Sequence, residues 1–189
     1  METSNFSPQQ SLQLITQVIE DARQRFTENG FSFLLWGSLT VIASLGQYYL
    51  ISIEKYTISF YPYFIMFVGG IIEFVKRRNT VRKNSNQIAK FISLLWLFLS
   101  INILLLAFGF FWSLQQNLVP LILILVSIGI TTTGSIIRER VVWIGGIFLN
   151  IIGILCFFID WEYHALVNAS ASFIGVVIPG LYLRFRSKE

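Results

Sequence analysis

Six apolar runs, each close to twenty residues long, take up most of this 189-residue chain and leave it few ways to fold. They cover residues 31–53, 58–75, 91–111, 118–137, 141–159 and 164–183. A helix needs about 20 apolar residues to cross the hydrocarbon core of a bilayer. Hydrocarbon offers no water to backbone N–H and C=O groups, so such runs satisfy their backbones internally, as helices. The 13% of charged residues is half the roughly 25% of a soluble domain.

The charges then orient the runs. If all six cross, the N-terminus, the 76–90 loop, the 138–140 turn and the C-terminus share one face. Of the 14 Lys and Arg residues, that face holds all but one: Arg23, Arg25, Lys76, Arg77, Arg78, Arg82, Lys83, Lys90, Arg138, Arg140, Arg184, Arg186 and Lys188. Lys55 alone lies opposite. Short cationic loops stay in the cytoplasm, so both termini are expected there. The expectation is an all-α polytopic membrane protein, with six transmembrane helices as three in-out-in hairpins. Residues 31–183 form the membrane domain and residues 184–189 a basic cytoplasmic tail. The net charge of +4 is thereby a topology signal, and no nucleic-acid partner is implied.

Residues 1–30 read as a separate cytoplasmic element. Ser7-Pro8-Gln9-Gln10 has the form of a capping box. Leu12, Ile15, Ile19, Ala22 and Phe26 follow at spacings of three and four, the stripe of an amphipathic helix, and Asn29-Gly30 ends it. Its polar face balances Glu20, Asp21 and Glu28 against Arg23 and Arg25, which favours packing on the bundle or on a protein partner over anionic lipid. No cleavable signal is expected ahead of the first run. Cys156, the single cysteine, falls inside the fifth run, so no intrachain disulfide can form.

Aromatic residues mark the expected interfaces: Trp36, Trp96 and Trp143 on the cytoplasmic side, Trp112, Trp161 and six of the seven Tyr on the other, all read as anchors. A repeat is visible in the hairpins. Each first helix opens around a Trp, and each second helix closes on glycine followed by basic residues.

Ionisable residues inside a membrane are costly and usually functional, and the middle of every run lacks them. Glu73 comes nearest and is expected to pair with Arg77 one turn on. The embedded polar residues are neutral: Gln47, Asn102, Asn150, Asn168, Thr131, Thr132 and Thr133. They are either interhelical hydrogen-bonding groups or the lining of a polar cavity. Small residues mark close helix contacts at Ala165, Ala169, Ala171 and Gly175, at Gly129, and at Gly145, Gly146 and Gly153. Pro179-Gly180 should bend or end the sixth helix.

Two loops carry chemistry. In Asp160-Trp161-Glu162-Tyr163-His164 an extended backbone would turn Asp160, Glu162 and His164 to one side, a set that could ligate a divalent metal. The basic cluster Lys76, Arg77, Arg78, Arg82, Lys83 and Lys90 would attract anionic headgroups or an acidic protein. No nucleophile, base or phosphate-loop pattern stands where membrane catalysis would need it, so neither an enzyme nor a cofactor is expected.

Thr27-Glu28-Asn29-Gly30-Phe31, Leu34-Leu35-Trp36-Gly37 and Ile178-Pro179-Gly180 resemble stretches of small six-helix integral membrane proteins of Bacteroidota. That group has no assigned activity, so the resemblance implies a bacterial inner membrane and no site residues. Two function classes stay open. One is a noncatalytic regulatory, sensory or accessory membrane component with cytoplasmic contacts. The other is a small oligomeric channel or facilitator for a neutral solute.

Overall fold

A computed structural model describes residues 30–79 and 87–186, together with Gln9, Leu12, Gln13, Thr16 and Gln17. These residues contain six main helices: α1 (Gly30–Ser52), α2 (Ile65–Asn79), α3 (Gln87–Leu104), α4 (Leu118–Ile136), α5 (Arg140–Cys156) and α6, which is built from His164–Ser172, Phe173–Val177 and Ile178–Arg186. Most of the expected N-terminal amphipathic helix lies outside the described residues. The five isolated positions there are helical and exposed.

Five of the six are long and apolar enough to cross a membrane. The exception is α5, whose 17 residues span about 26 Å at 1.5 Å per residue. The fifth apolar run was expected to stay helical to residue 159, but Phe157, Phe158 and Ile159 instead donate to carbonyls three residues back, a tightened last turn. α2 also starts later than expected. Two 3-10 turns, Tyr56–Ile58 and Tyr61–Phe64, precede it, with Pro62 near the start of the second.

Pro179 does not end α6. The helix continues to Arg186, but the turn before the proline, Phe173–Val177, widens to π geometry. A proline lacks the N–H its turn needs and crowds the carbonyl four residues back, here that of Gly175, and a π turn relieves both demands. Neither α1 nor α4 stops at glycine. Glu54 (φ 59°) and Arg138 (φ 56°) take the left-handed position. Their amides bond to Ile51 O and Ser135 O, and the next amides to Leu50 O and Gly134 O, closing each helix as a Schellman turn.

α1, α4, α5 and α6 form the inner bundle, with α5 lying along α4, α6 against both α5 and α1, and α4 also reaching α6. α2 leans on α1 and α3 on α4. The apolar windows of these outer helices are each 11% buried, against 44% for α4 and 56% for α6. Leu123, Ile130, Ile137, Val142, Leu149 and Leu183 make the dry centre, with Ile92 of α3 inserted from outside.

Glycine sets the inner spacing. A Cβ on Gly146 would stand 2.6 Å from the Thr131 backbone nitrogen, one on Gly145 2.6 Å from Gly175 O, and one on Gly30 2.8 Å from Gly180 O. Ala165, Ala169 and Ala171 are buried as expected of α6.

The two outer contacts follow a different plan, and the same one twice. Trp36 and Leu39 of α1 seat against Gly69 of α2, while Trp96 and Leu99 of α3 seat against Gly129 of α4. Each indole N–H donates to the residue 37 positions on, Trp36 to Glu73 and Trp96 to Thr133. The matching positions (36 and 96, 39 and 99, 69 and 129, 73 and 133) all differ by sixty. The third hairpin departs from this register, since Gly175 meets Gly145 and Leu149 in place of a tryptophan ring.

Candidate functional site

The seven neutral polar residues singled out from the sequence do not converge on one cavity. They divide among four places.

The first is a buried network between α1, the turn before α2, and α6. Asn168 Nδ2 donates to Ser44 Oγ (2.8 Å) and to Tyr63 Oη (3.2 Å). Tyr63 in turn donates to Gln47 Oε1 (3.1 Å), and Ser172 Oγ to Asn168 Oδ1 (3.4 Å). Gln47 and Asn168 are thus helix ties. Tyr63, expected as a headgroup anchor, turns inward to become the hub. Ser44 and Ser172 were not anticipated, although Ser44 with Gln47 and Asn168 with Ser172 stand at the spacings of three and four that share a helix face.

Thr133 occupies the second place, buried where its hydroxyl accepts from Trp96 and donates to Gly129 O (2.7 Å). Asn102 is the third. It is exposed on α3 and donates to Phe98 O of its own helix (2.8 Å).

The fourth place is a notch of about 310 Å³ between α4 and α5, lined by Ser127, Ile128, Thr131, Thr132, Ile147 and Asn150. Asn150 Nδ2 donates to Ser127 Oγ (2.9 Å), which itself donates to Ile124 O (2.7 Å). Ser127 too was missed, yet it precedes Thr131 by one helical turn.

The loop residues behave differently from the extended arrangement that a metal would need. Trp161–Tyr163 is a 3-10 turn, so every second side chain no longer points one way. Asp160 and Glu162 are exposed, while His164 is buried. Its Nδ1 lies 2.9 Å from Gln116 O and its Nε2 2.9 Å from Ile159 O, which occupies both ring nitrogens with backbone. Among the described residues no three His, Cys, Asp or Glu side chains come together as a metal site. His164 instead joins the α3–α4 and α5–α6 connections.

Polar contacts also gather where α1 and α5 begin and α2, α4 and α6 end. Glu73 accepts from Ser32 Oγ (3.3 Å) and from the Trp36 indole, both of α1, and its charge also acts on Lys76 of its own helix. The Arg77 side chain, with which it was expected to pair, lies outside the described set, as do Arg82 and Lys83. Lys76 sits 3.7 Å over the Phe31 ring, a cation–π contact. Glu139, only 3% exposed, pairs with Arg186 at 3.0 Å and ties the α4–α5 turn to the end of α6. Arg78, Lys90, Arg138 and Arg140 are exposed at the same end.

No protein-family model matches this chain, and no curated protein or solved structure matches it.

Proposed function

We propose that the chain is a noncatalytic multi-pass membrane protein, a regulatory, sensory or accessory component that works through contacts on its cytoplasmic face. All six helices cross the bilayer, α5 with help from its tightened last turn. Both termini are cytoplasmic, residues 8–26 lie as an amphipathic helix along that face, and the membrane is a bacterial inner membrane. The observation that supports this reading is the dispersal of the embedded polar residues. Gln47, Asn168 and Thr133 join one helix to another, and Asn102 bonds only to its own turn, so they share no continuous path. A passage for a neutral solute needs such groups in succession along one axis.

The remaining support is electrostatic. Lys76, Arg78, Lys90, Arg138, Arg140, Arg184 and Arg186 stand at one end of the helices and Lys55 at the other. Anionic headgroups or an acidic protein suit that end, whose cations each contribute about 1 kcal/mol of attraction near an anionic surface.

Two measurements test this. In a Cys156→Ala background, single cysteines at positions 55, 115 and 162 label from outside intact cells, and those at 80 and 187 do not. Outside labelling at 80 overturns the topology. Vesicles containing the purified protein should pass glycerol and urea no faster than empty ones. Flux that Asn150→Leu abolishes would establish the channel reading instead.

A further inference from the structure

α4 and α5 touch backbone to backbone at Gly146 and again at Gly134, yet between those contacts and the outer end their side chains leave the notch described above. Its depth is unusual for polar groups. Ser127 lies nine residues after Leu118 and Asn150 ten after Arg140, about 14 and 15 Å along their axes at 1.5 Å per residue. With all six helices crossing, as proposed above, that is near the middle of a hydrocarbon core about 30 Å thick. Ile128 in the lining of the notch is exposed, as are Ile144, Ile151 and Ile154 along α5.

Hydrogen bonds inside the notch are incomplete. Ser127 is satisfied, donating to Ile124 O and accepting from Asn150. Asn150 keeps its carbonyl oxygen and one amide hydrogen without a partner among the described residues. Nearby hydroxyls of α4 show what an unoccupied side chain does by default: Thr133 and Ser135 bond back to carbonyls four residues earlier. Thr131 and Thr132 make no such bond and have no hydroxyl partner among the described residues. With no water at this depth, four polar groups (the Asn150 carbonyl, one of its amide hydrogens and the two threonine hydroxyls) wait for a ligand that both gives and takes hydrogen bonds.

We propose that the notch binds an uncharged amphiphile dissolved in the bilayer, held through a hydroxyl or primary amide group by Asn150, Thr131 and Thr132. No Asp, Glu, Lys or Arg lines it, so a charged headgroup has no counterpart there. A pure acceptor such as a ketone would leave the Asn150 oxygen unpaired. The volume is at the small end of the ~300–1,000 Å³ typical of ligand sites, enough for a polar head and its first methylenes, with Ile128 and Ile147 flanking the chain. A second transmembrane helix suits it less well. Helices approach closely over small residues, and the glycines of α5 are already taken: Gly146 by Thr131, Gly153 by Leu123 and Ile124, Gly145 by Gly175.

The test uses the full chain in lipid nanodiscs and a diazirine-bearing hexadecanol, compared with the same diazirine alkane lacking the hydroxyl. The alcohol should label peptides containing Ile128 and Ile147 severalfold more than the alkane does. Thr132→Val combined with Asn150→Leu should bring it down to the alkane level, while Ser135→Ala, outside the notch, should leave labelling unchanged. Circular dichroism and monodispersity of each variant separate lost binding from lost fold, and Thr132→Val alone, nearly isosteric, should already weaken labelling if the double variant unfolds. Equal labelling by alcohol and alkane, or labelling indifferent to both notch substitutions, overturns the proposal. So does disulfide dimerisation of Ile128→Cys in a Cys156→Ala background that blocks the probe, since the occupant would then be a second copy.

Discussion

The inner helix pairs and the outer ones are joined by different physics. Between α4 and α5 the backbones themselves meet, so that a methyl on Gly134 would stand 2.5 Å from the Trp143 backbone nitrogen and one on Gly146 2.3 Å from Thr131 Oγ1. Between α1 and α2, and again between α3 and α4, the join is a leucine and an indole resting on one glycine, completed by an indole hydrogen bond. Lipid tails are as apolar as leucine, so helices in a membrane gain little from burying apolar surface and depend on close packing and on polar ties. The inner bundle rests on close backbone packing and adds polar ties of its own, Asn150 to Ser127 and Asn168 to Ser44, whereas the outer helices depend chiefly on such ties. Backbone contact tolerates no added atom, whereas a side-chain tie accepts exchange, as the replacement of Glu73 by Thr133 at the matching position already shows.

The sharpest way to break this contrast is to add a methyl on each side of it. Gly146→Ala should cost about 3 kcal/mol, because besides Thr131 Oγ1 the Thr131 backbone N and Cα lie 2.6 and 2.9 Å from the added methyl, and no rotamer moves those two. Gly70→Ala, with open space around its Cβ, should be neutral or stabilise by up to ~1 kcal/mol. Reversible unfolding in mixed micelles measures both, and similar costs for the two would remove the distinction.

A smaller effect is expected at the ties. Trp36→Phe and Trp96→Phe each keep an aromatic seat on the glycine and lose the donor, which should cost about 0.6–2 kcal/mol apiece. The two changes sit in separate helix pairs, so the double variant should be additive within about 0.5 kcal/mol. Strong coupling would mean that the outer hairpins do not act independently.

Glu73→Gln probes whether the charge matters to the tie. Gln still offers an oxygen to the Trp36 indole, and a neutral hydroxyl serves Trp96, so stability should change by no more than about 0.5 kcal/mol. Glu73→Leu removes the Ser32 contact as well and should cost at least as much as Trp36→Phe, and the two changes together should cost less than their sum. A large loss with Gln would assign the carboxylate a role that the second hairpin lacks.

The least effect is expected at Asn102. Its amide bonds only to Phe98 O of the same helix, so Asn102→Leu should lie within about 0.5 kcal/mol of wild type, and Asn150→Leu, which breaks a bond between α4 and α5, should approach ~2 kcal/mol.

The amino-acid sequence by itself determined the helical class, the number of apolar runs and their approximate limits, because hydrocarbon length and backbone satisfaction leave no alternative to helices. It also pointed to the glycines and alanines of α5 and α6 as contact residues, since only small side chains let two backbones meet. The partners were decided elsewhere. Tyr63 reads as a headgroup anchor and becomes the centre of a buried network, Trp36 and Trp96 read as anchors and are also donors across helices, and Glu73, read only against its own helix, also accepts from α1. A side chain's depth can be counted along one helix, but its azimuth relative to a neighbouring helix depends on the crossing of both. Only the tertiary structure supplies that crossing. For the same reason Asp160, Glu162 and His164 shared a face in an extended reading and were parted by one 3-10 turn, while Ser127, unremarked in the sequence, met Asn150 across an interface that glycine had drawn shut.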